Sequence, residues 1–297
     1  MRLRDLDTID DFDAVVRLQH EVWGVDYDDV VPRSVFAVAV RTGGILIGAE
    51  NEDGRLVGCV FSMPGLRHGR VVQWSHLLGV APEARGRALG LRLKLAQRER
   101  ALDRGIDLIE WTCDPLLAAN ARLNVRRLGC VVEVYLDDVY GSSSSPLHRG
   151  VPTDRFIASW HIGSPHVARR VEAGAIVARD ASVGQAPHVL RTREEGSFRA
   201  PHGEPDLSRD EARLRVEIPA DFARMLGEAP ELAVAWRYAA RRVFHTYFAR
   251  GYRVVDVDAD RGAPRPSYLL ALRPPPAPEP DTGPAGEHAT HPPVTGR

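Results

Sequence analysis

The residues best suited to chemistry lie in the run Leu77-Leu78-Gly79-Val80-Ala81-Pro82-Glu83-Ala84-Arg85-Gly86-Arg87-Ala88-Leu89-Gly90-Leu91. An apolar stretch ends at Ala81-Pro82, and small residues at 86, 88 and 90 open a helical pattern. The first N–H groups of a helix have no partners inside it and stand at the positive end of its dipole. Amides in that position take phosphate oxygens. Gly86, Ala88 and Gly90 leave room for a pyrophosphate to reach the backbone, and Arg85 and Arg87 add charge-assisted donors. No Gly-Lys-Ser/Thr follows, which excludes a Walker loop. The run comes after four elements and not at a first βα turn, which argues against a dinucleotide fold.

The elements around this loop follow from periodicity. Apolar residues at Phe12, Val15, Val16, Leu18 and Val22 predict a helix over 10–23, with Thr8 and Asp11 as its capping box. A second, short helix is expected over 34–40. Strands are expected over 44–49 and 56–63, joined by the turn Asn51-Glu52-Asp53-Gly54 as a hairpin. A strand over 71–80 runs into the loop, and a helix over 86–104 leaves it, closed by Gly105. Strand 107–113, helix 117–128, Gly129 and strand 131–135 complete the first region. Residues 214–218, 219–225, 231–250, 252–257 and 267–272 read as strand, helix, helix, strand, strand. The Arg250-Gly251-Tyr252-Arg253-Val254 junction parallels Leu128-Gly129-Cys130-Val131-Val132. Residues 191–209 and the run Ser142-Ser143-Ser144-Ser145 read as loops. Residues 274–297 carry 8 of the 22 prolines and few large apolar residues, so a disordered Pro-rich tail is expected. The fold class is α+β, a mixed β-sheet flanked by helices with a C-terminal α/β extension.

The segment Arg85-Gly86-Arg87-Ala88-Leu89-Gly90 resembles the Arg/Gln-x-x-Gly-x-Gly/Ala signature of the GNAT N-acyltransferase superfamily, with Ala88 in place of the first glycine. The element order around it is similar, and the resemblance covers about residues 1–162. Trp111-Thr112-Cys113-Asp114-Pro115-Leu116, Asn120-Ala121, Leu123-Asn124, Leu128-Gly129, Tyr140-Gly141, Asp154-Arg155-Phe156 and Trp160 are similar to a bacterial subgroup of predicted acetyltransferases. The resemblance implies acetyl-CoA, succinyl-CoA or another short acyl-CoA as co-substrate, with no metal. Its pantetheine arm would pair along Leu78 to Val80, its phosphates would meet Arg85, Gly86, Arg87, Ala88, Leu89 and Gly90, and Asn120 would contact the arm. The reaction implied is direct attack by an amine on the thioester.

That attack needs a base and a proton for the leaving thiolate. The superfamily's glutamate position falls at Trp74, which cannot serve. His76 lies two residues on, on the same strand face, and Glu110 on the neighbouring strand is the second candidate. The superfamily's tyrosine position falls at Val125; Tyr140 and Tyr247 are alternative donors. Cys113 is read as packing on its strand. Arg237 and Arg241 lie one helical turn apart beside Trp236, Phe244 and Tyr247, a pattern that suits a carboxylate-bearing acceptor such as an amino acid.

The expected organisation is an acyltransferase domain over 1–162, an extension over 163–273 completing or covering the acceptor site, and the tail over 274–297. The expected partner is a small-molecule amine, with a homodimer as an open option. The alternative function is a non-catalytic acyl-CoA-binding module; a nucleotide-phosphate binder is a third reading. Composition limits the rest. With 39 Lys and Arg against 40 Asp and Glu among 297 residues, the net charge of −1 gives no basic excess for nucleic acid or anionic membrane. Lys94 is the single lysine, the other cations being arginine, a usage that fits a coding bias. The three cysteines, Cys59, Cys113 and Cys130, are too few and scattered for a disulfide framework or zinc site. Without an apolar leader or a membrane-length run, a cytoplasmic location is expected.

Overall fold

The computed structural model describes residues 1–25, 27, 29–141, 150–172, 185–259 and 265–272. The serine run and the Pro-rich tail lie outside them. The chain begins with β1 (Arg2–Asp5), α1 (Ile9–Trp23), α2 (Arg33–Arg41), β2 (Ile45–Glu50), β3 (Leu56–Arg67) and β4 (Arg70–Val80). A 3₁₀ turn (Pro82–Ala84) leads to α3 (Leu89–Leu102) and β5 (Leu108–Cys113). Then come α4 (Ala118–Ala121), a π-helical turn (Arg122–Arg127), β6 (Val131–Leu136), β7 (Arg155–His161) and α5 (Pro165–Glu172). The last part holds β8 (Thr192–Glu195), β9 (Phe198–Pro201), β10 (Arg213–Glu217), α6 (Phe222–Glu228), α7 (Pro230–Ala249), β11 (Tyr252–Asp258) and β12 (Ser267–Leu272).

Ten strands form one sheet in the order β1-β2-β3-β4-β5-β7-β6-β11-β12-β10. Every neighbouring pair is antiparallel except β4–β5. The fold is α+β with a mixed sheet flanked by helices, as the element pattern predicts. The capping box is formed, with Asp11 N donating to Thr8 Oγ1 at 3.2 Å and Thr8 N to Asp11 Oδ2 at 3.1 Å. One hydrophobic core lies around β2 to β5 with α1, α2 and α3, and a second around α7 with Trp236, Phe244, Phe156 and Tyr268.

Several elements differ from the sequence reading. β1 is a short charged strand at the sheet edge, where charge discourages further pairing. β7, absent from the predicted list, inserts between β5 and β6. It is buried along nearly its whole length, so it has no polar–apolar alternation to read. The expected helix over 86–104 begins only at Leu89, and that over 117–128 is one α-turn continued by a π-turn, with Leu128 N donating to Leu123 O at 2.9 Å. The expected loop over 191–209 contains the β8–β9 hairpin, and α5 was not anticipated.

The sheet has an internal two-fold pattern. β5, α4, β6 and β7 lie in the spatial order β5-β7-β6; β10, α7, β11 and β12 lie in the mirrored order β11-β12-β10. Even the parallel β4–β5 contact has its counterpart in a parallel bridge between His188 and Arg215. The axis passes through the β6–β11 pair, where Val132 faces Val254. Each of these valines sits three residues past a positive-φ glycine, Gly129 (φ 77°) and Gly251 (φ 84°). The second copy carries the β8–β9 hairpin where the first has α3 and its loop.

Candidate active site

The loop entering α3 is built to leave amides free. Pro82 starts the 3₁₀ turn, Gly86 has φ 79°, and the N-cap Ala88 sits in the left-handed region at φ 56° and ψ 19°. Ala88 has no side chain that can cap, and the first turn of α3 holds no acidic residue. Among the described residues, the backbone N–H groups of residues 86–91 have no acceptor. They border a cavity of about 750 Å³ that is also lined by Val80, Arg85, Asn120, Arg122 and Arg127. Among its lining residues, Arg127 carries an Nε that is buried without a partner. Among the described residues, no Asp or Glu lines this cavity. Free amides, an unsatisfied guanidinium nitrogen and no competing carboxylate are what a diphosphate requires. Ala220, Ala259 and Pro266 close one side, so it is here that the C-terminal unit reaches the site. Arg87, also expected to meet the phosphates, is exposed and does not line the cavity.

From this cavity a cleft runs into the sheet. β4 and β5 pair only at Gln73–Ile109 and Trp74–Glu110, although β4 continues to Val80 and β5 to Cys113. Beyond Trp74 the strands part, and the β5-facing edge of β4 is left without a strand partner. Such an edge accepts an extended chain in the manner of an added strand. A β-bulge helps open it. Phe61 pairs with Leu77 and Ser62 with Ser75, so His76 is the extra residue.

A second cavity, of about 660 Å³, fills the parted region; Asn120 and Leu123 line both it and the first. His76, Leu78, Lys94, Cys113, Asn124, Tyr27, Asp29 and Tyr140 are among its walls. His76 points to the α1–α2 side, its ring edge-on to Phe61 at 6.4 Å, and partial desolvation lowers its pKa although its edge is open to solvent. Lys94 comes from the α3 side, where Nζ donates to Ser75 Oγ at 2.8 Å and Gln97 Oε1 at 3.2 Å. Burial pushes its pKa down to about 7. Cys113 is raised to about 12, again by burial, with Asn124 as its hydrogen-bond partner. It is therefore a thiol at neutral pH, in keeping with a packing role.

The remaining sequence candidates are placed elsewhere. Glu110 faces away from both cavities, accepting from Arg67 Nε at 2.8 Å and Ser159 Oγ at 3.0 Å. Arg237 and Arg241 line neither cavity. Arg237 is committed to Asp114 and Arg241 to Asp154, with its shortest contact at 2.6 Å. Tyr247 donates to the Asp206 and Arg209 carbonyls in the second core. Tyr140 does reach the cleft, 2.8 Å from Thr112 Oγ1. Sequence reasoning passed over Lys94 as a site residue; the signal available was a lone lysine in an arginine-only background.

No family model matches the sequence, and no curated protein matches it. Its neighbours among solved structures are GNAT-family acetyltransferases. A GNAT-family acetyltransferase from Streptococcus pneumoniae is 16% identical with a TM-score of 0.44, covering 53% of this chain and 97% of its own. The Escherichia coli ribosomal-protein-S18-alanine N-acetyltransferase is 15% identical with a TM-score of 0.43, covering 60% and 99%. A Salmonella typhimurium protein described as an acetyltransferase, solved with its cofactor acetyl-CoA, is 18% identical with a TM-score of 0.43, covering 61% and 98%. At these values the chain is similar to them and no more; the functional reading rests on the loop and the cleft.

Proposed function

We propose that the protein is an acyl-CoA-dependent N-acyltransferase of the GNAT type, which transfers an acetyl, succinyl or other short acyl group to the amine of a small molecule. The observation that carries this is one continuous path: six unpaired amides at 86–91 open onto a cavity that continues into the unpaired edge of β4. A nucleotide-phosphate binder needs the first feature but has no use for the second. Coenzyme A uses both, its diphosphate at the loop and its extended arm along the edge.

In this reading the diphosphate takes the loop amides with Arg85 and Arg127, the arm lies along Leu78 to Val80 beside Asn120, and the thioester ends near the His76 bulge. The amine enters through the second cavity and attacks the thioester carbon directly. His76 accepts its proton; a lowered pKa keeps the imidazole neutral at pH 7, as a base must be. A non-catalytic acyl-CoA-binding module is favoured by one observation, the engagement of Glu110 by Arg67 and Ser159, which removes it as a free carboxylate base. Thiol release with a panel of amines separates the two.

Calorimetry with acetyl-CoA and succinyl-CoA tests the core of the reading. Binding is expected for the native chain and its loss for Gly90→Glu, which puts bulk and negative charge among the amides; Gly90 has room for a Cβ, with Leu78 the nearest atom at 3.8 Å. A native protein that binds no acyl-CoA, or a Gly90→Glu variant that binds as well, would end it.

A further inference from the structure

We propose that Lys94 is the catalytic acid of this cleft, donating its Nζ proton to the sulfur of the departing coenzyme A. The inference deepens the acyltransferase reading and rests on it. Lys94 is 2% exposed, yet it lines the cleft. Its ammonium meets the Ser75 hydroxyl, the Gln97 carbonyl and the face of Trp111, 3.6 Å from the ring centre. Those three contacts receive a cation. None of them is a carboxylate, and the titratable groups that act on it are the thiols Cys130 and Cys113. Asp114, on the same wall, is held by Arg237 and Arg155. The ammonium is therefore solvated well enough to exist and poorly enough to release its proton near neutral pH.

Position assigns the role. The arm passes from the phosphate cavity to the cleft at Asn120 and Leu123, which lie on the α4 segment and its π-turn. Trp160 Nε1 donates to Leu128 O at 2.8 Å while its ring meets Trp111, so this segment and Lys94 share one face of the sheet. His76 stands on the other face, against Phe61, which in turn packs on the α2 ring Phe36. Two titratable groups thus flank the parted strands from opposite sides, an arrangement that separates acid from base. As the C–N bond forms and the C–S bond breaks, the electron pair leaves on sulfur. The Lys94 proton goes to that sulfur and the amine proton to His76. Exchange with solvent then resets both groups with no net proton change.

An arginine cannot deprotonate inside a protein. The chain uses arginine for all its other basic positions and places its single lysine here.

That single lysine also makes the test site-specific. Protein grown on ¹³C-labelled lysine gives one side-chain resonance, and its pH titration reports Lys94 directly, with no acceptor amine needed. Calorimetry first asks whether coenzyme A binds; if it does not, the functional reading itself falls. With binding established, coenzyme A with its free sulfhydryl is expected to raise the proton affinity of Lys94 by about tenfold or more, because its thiolate pairs with the ammonium. Desulfo-coenzyme A, which lacks that sulfur, is expected to leave it unmoved. Equal responses to the two ligands, or none to either, overturn the acid role while leaving acyl-CoA binding intact. A stable acyl group found by mass on Lys94 after incubation with acetyl-CoA would overturn it as well, making the residue a nucleophile.

Discussion

Arg237 closes on Asp114 through two bonds of 3.0 and 2.7 Å, from a helix 123 residues further along the chain. Asp114 directly follows β5 and forms part of the cleft wall. The pair therefore ties the second, mirrored unit to the place where the β4–β5 cleft opens. Both side chains are buried, so removing Arg237 leaves the Asp114 carboxylate with only the looser Arg155 contact at 3.6 Å.

Arg237→Ala should accordingly cost up to about 3 kcal/mol of stability, the low end for a broken buried pair because Arg155 remains. Chemical denaturation would register it as a lower midpoint. Replacing both partners by apolar residues of similar volume should recover most of the loss. If Arg237→Ala melts like the native protein and instead raises KM for an amine bearing a carboxylate, the arginine is a substrate group after all.

Ala88 offers a second check on the loop. Its φ of 56° is a conformation that costs an L-residue roughly 1–2 kcal/mol. Glycine adopts it freely but loses more entropy on folding. Ala88→Gly should thus be neutral or stabilising by up to about 1 kcal/mol, with acyl-CoA affinity kept. Ala88→Val should both unfold more easily and bind more weakly, because a β-branched residue fits that conformation worst. A clearly destabilised Ala88→Gly would mean that the amides are not presented as described.

The two base candidates predict different kinetics. His76→Ala should lower kcat by about 10²–10⁴-fold, the usual worth of a positioned base. Desolvation depresses the pKa of His76 below its ordinary 6.5. The imidazole then stays neutral as pH falls through 6.5, and kcat/KM for the acyl-CoA should decline only at more acid pH. Glu110→Gln should leave kcat within a few-fold and cost about 1 kcal/mol, since Arg67 opposite it is 44% exposed and screened by solvent. Reversal of that ranking in a pH–rate comparison would move the base to Glu110.

What the sequence reveals depends on range. The capping box of Thr8 and Asp11, the loop at Gly86 to Gly90 and β12 are local patterns, and they were legible. β7 was not, because a central strand buried on both faces carries no alternation. β8 and β9 were hidden for the opposite reason: Thr192–Glu195 is almost wholly polar and pairs outside the main sheet. Arg237 and Arg241 looked like a free basic pair because spacing shows i,i+4 neighbours but not Asp114 and Asp154. The glycine junctions at 129 and 251 were visible as a likeness; that they face each other across β6 and β11 belongs to the fold. Lys94 was visible as a count, and only its burial gives the count a meaning.

That burial has a thermodynamic signature. Lys94 is lowered from 10.5 to about 7 by desolvation. Between those values the unfolded chain binds the proton and the folded chain does not, so protonation favours unfolding. The native protein should lose stability through this group as pH falls from about 10.5 to 7, and lose no more below that. Lys94→Met has no such group. Its stability relative to native should therefore rise as pH falls across the window, by at most about 5 kcal/mol at 1.36 kcal/mol per pKa unit. Ser75 and Gln97 keep each other as partners at 3.1 Å, which limits the offsetting cost. Urea unfolding of both proteins at pH 7, 8, 9 and 10 measures the difference. A gap that stays constant across those four values would show that Lys94 keeps its proton in the folded chain throughout, and would leave the cleft without its acid.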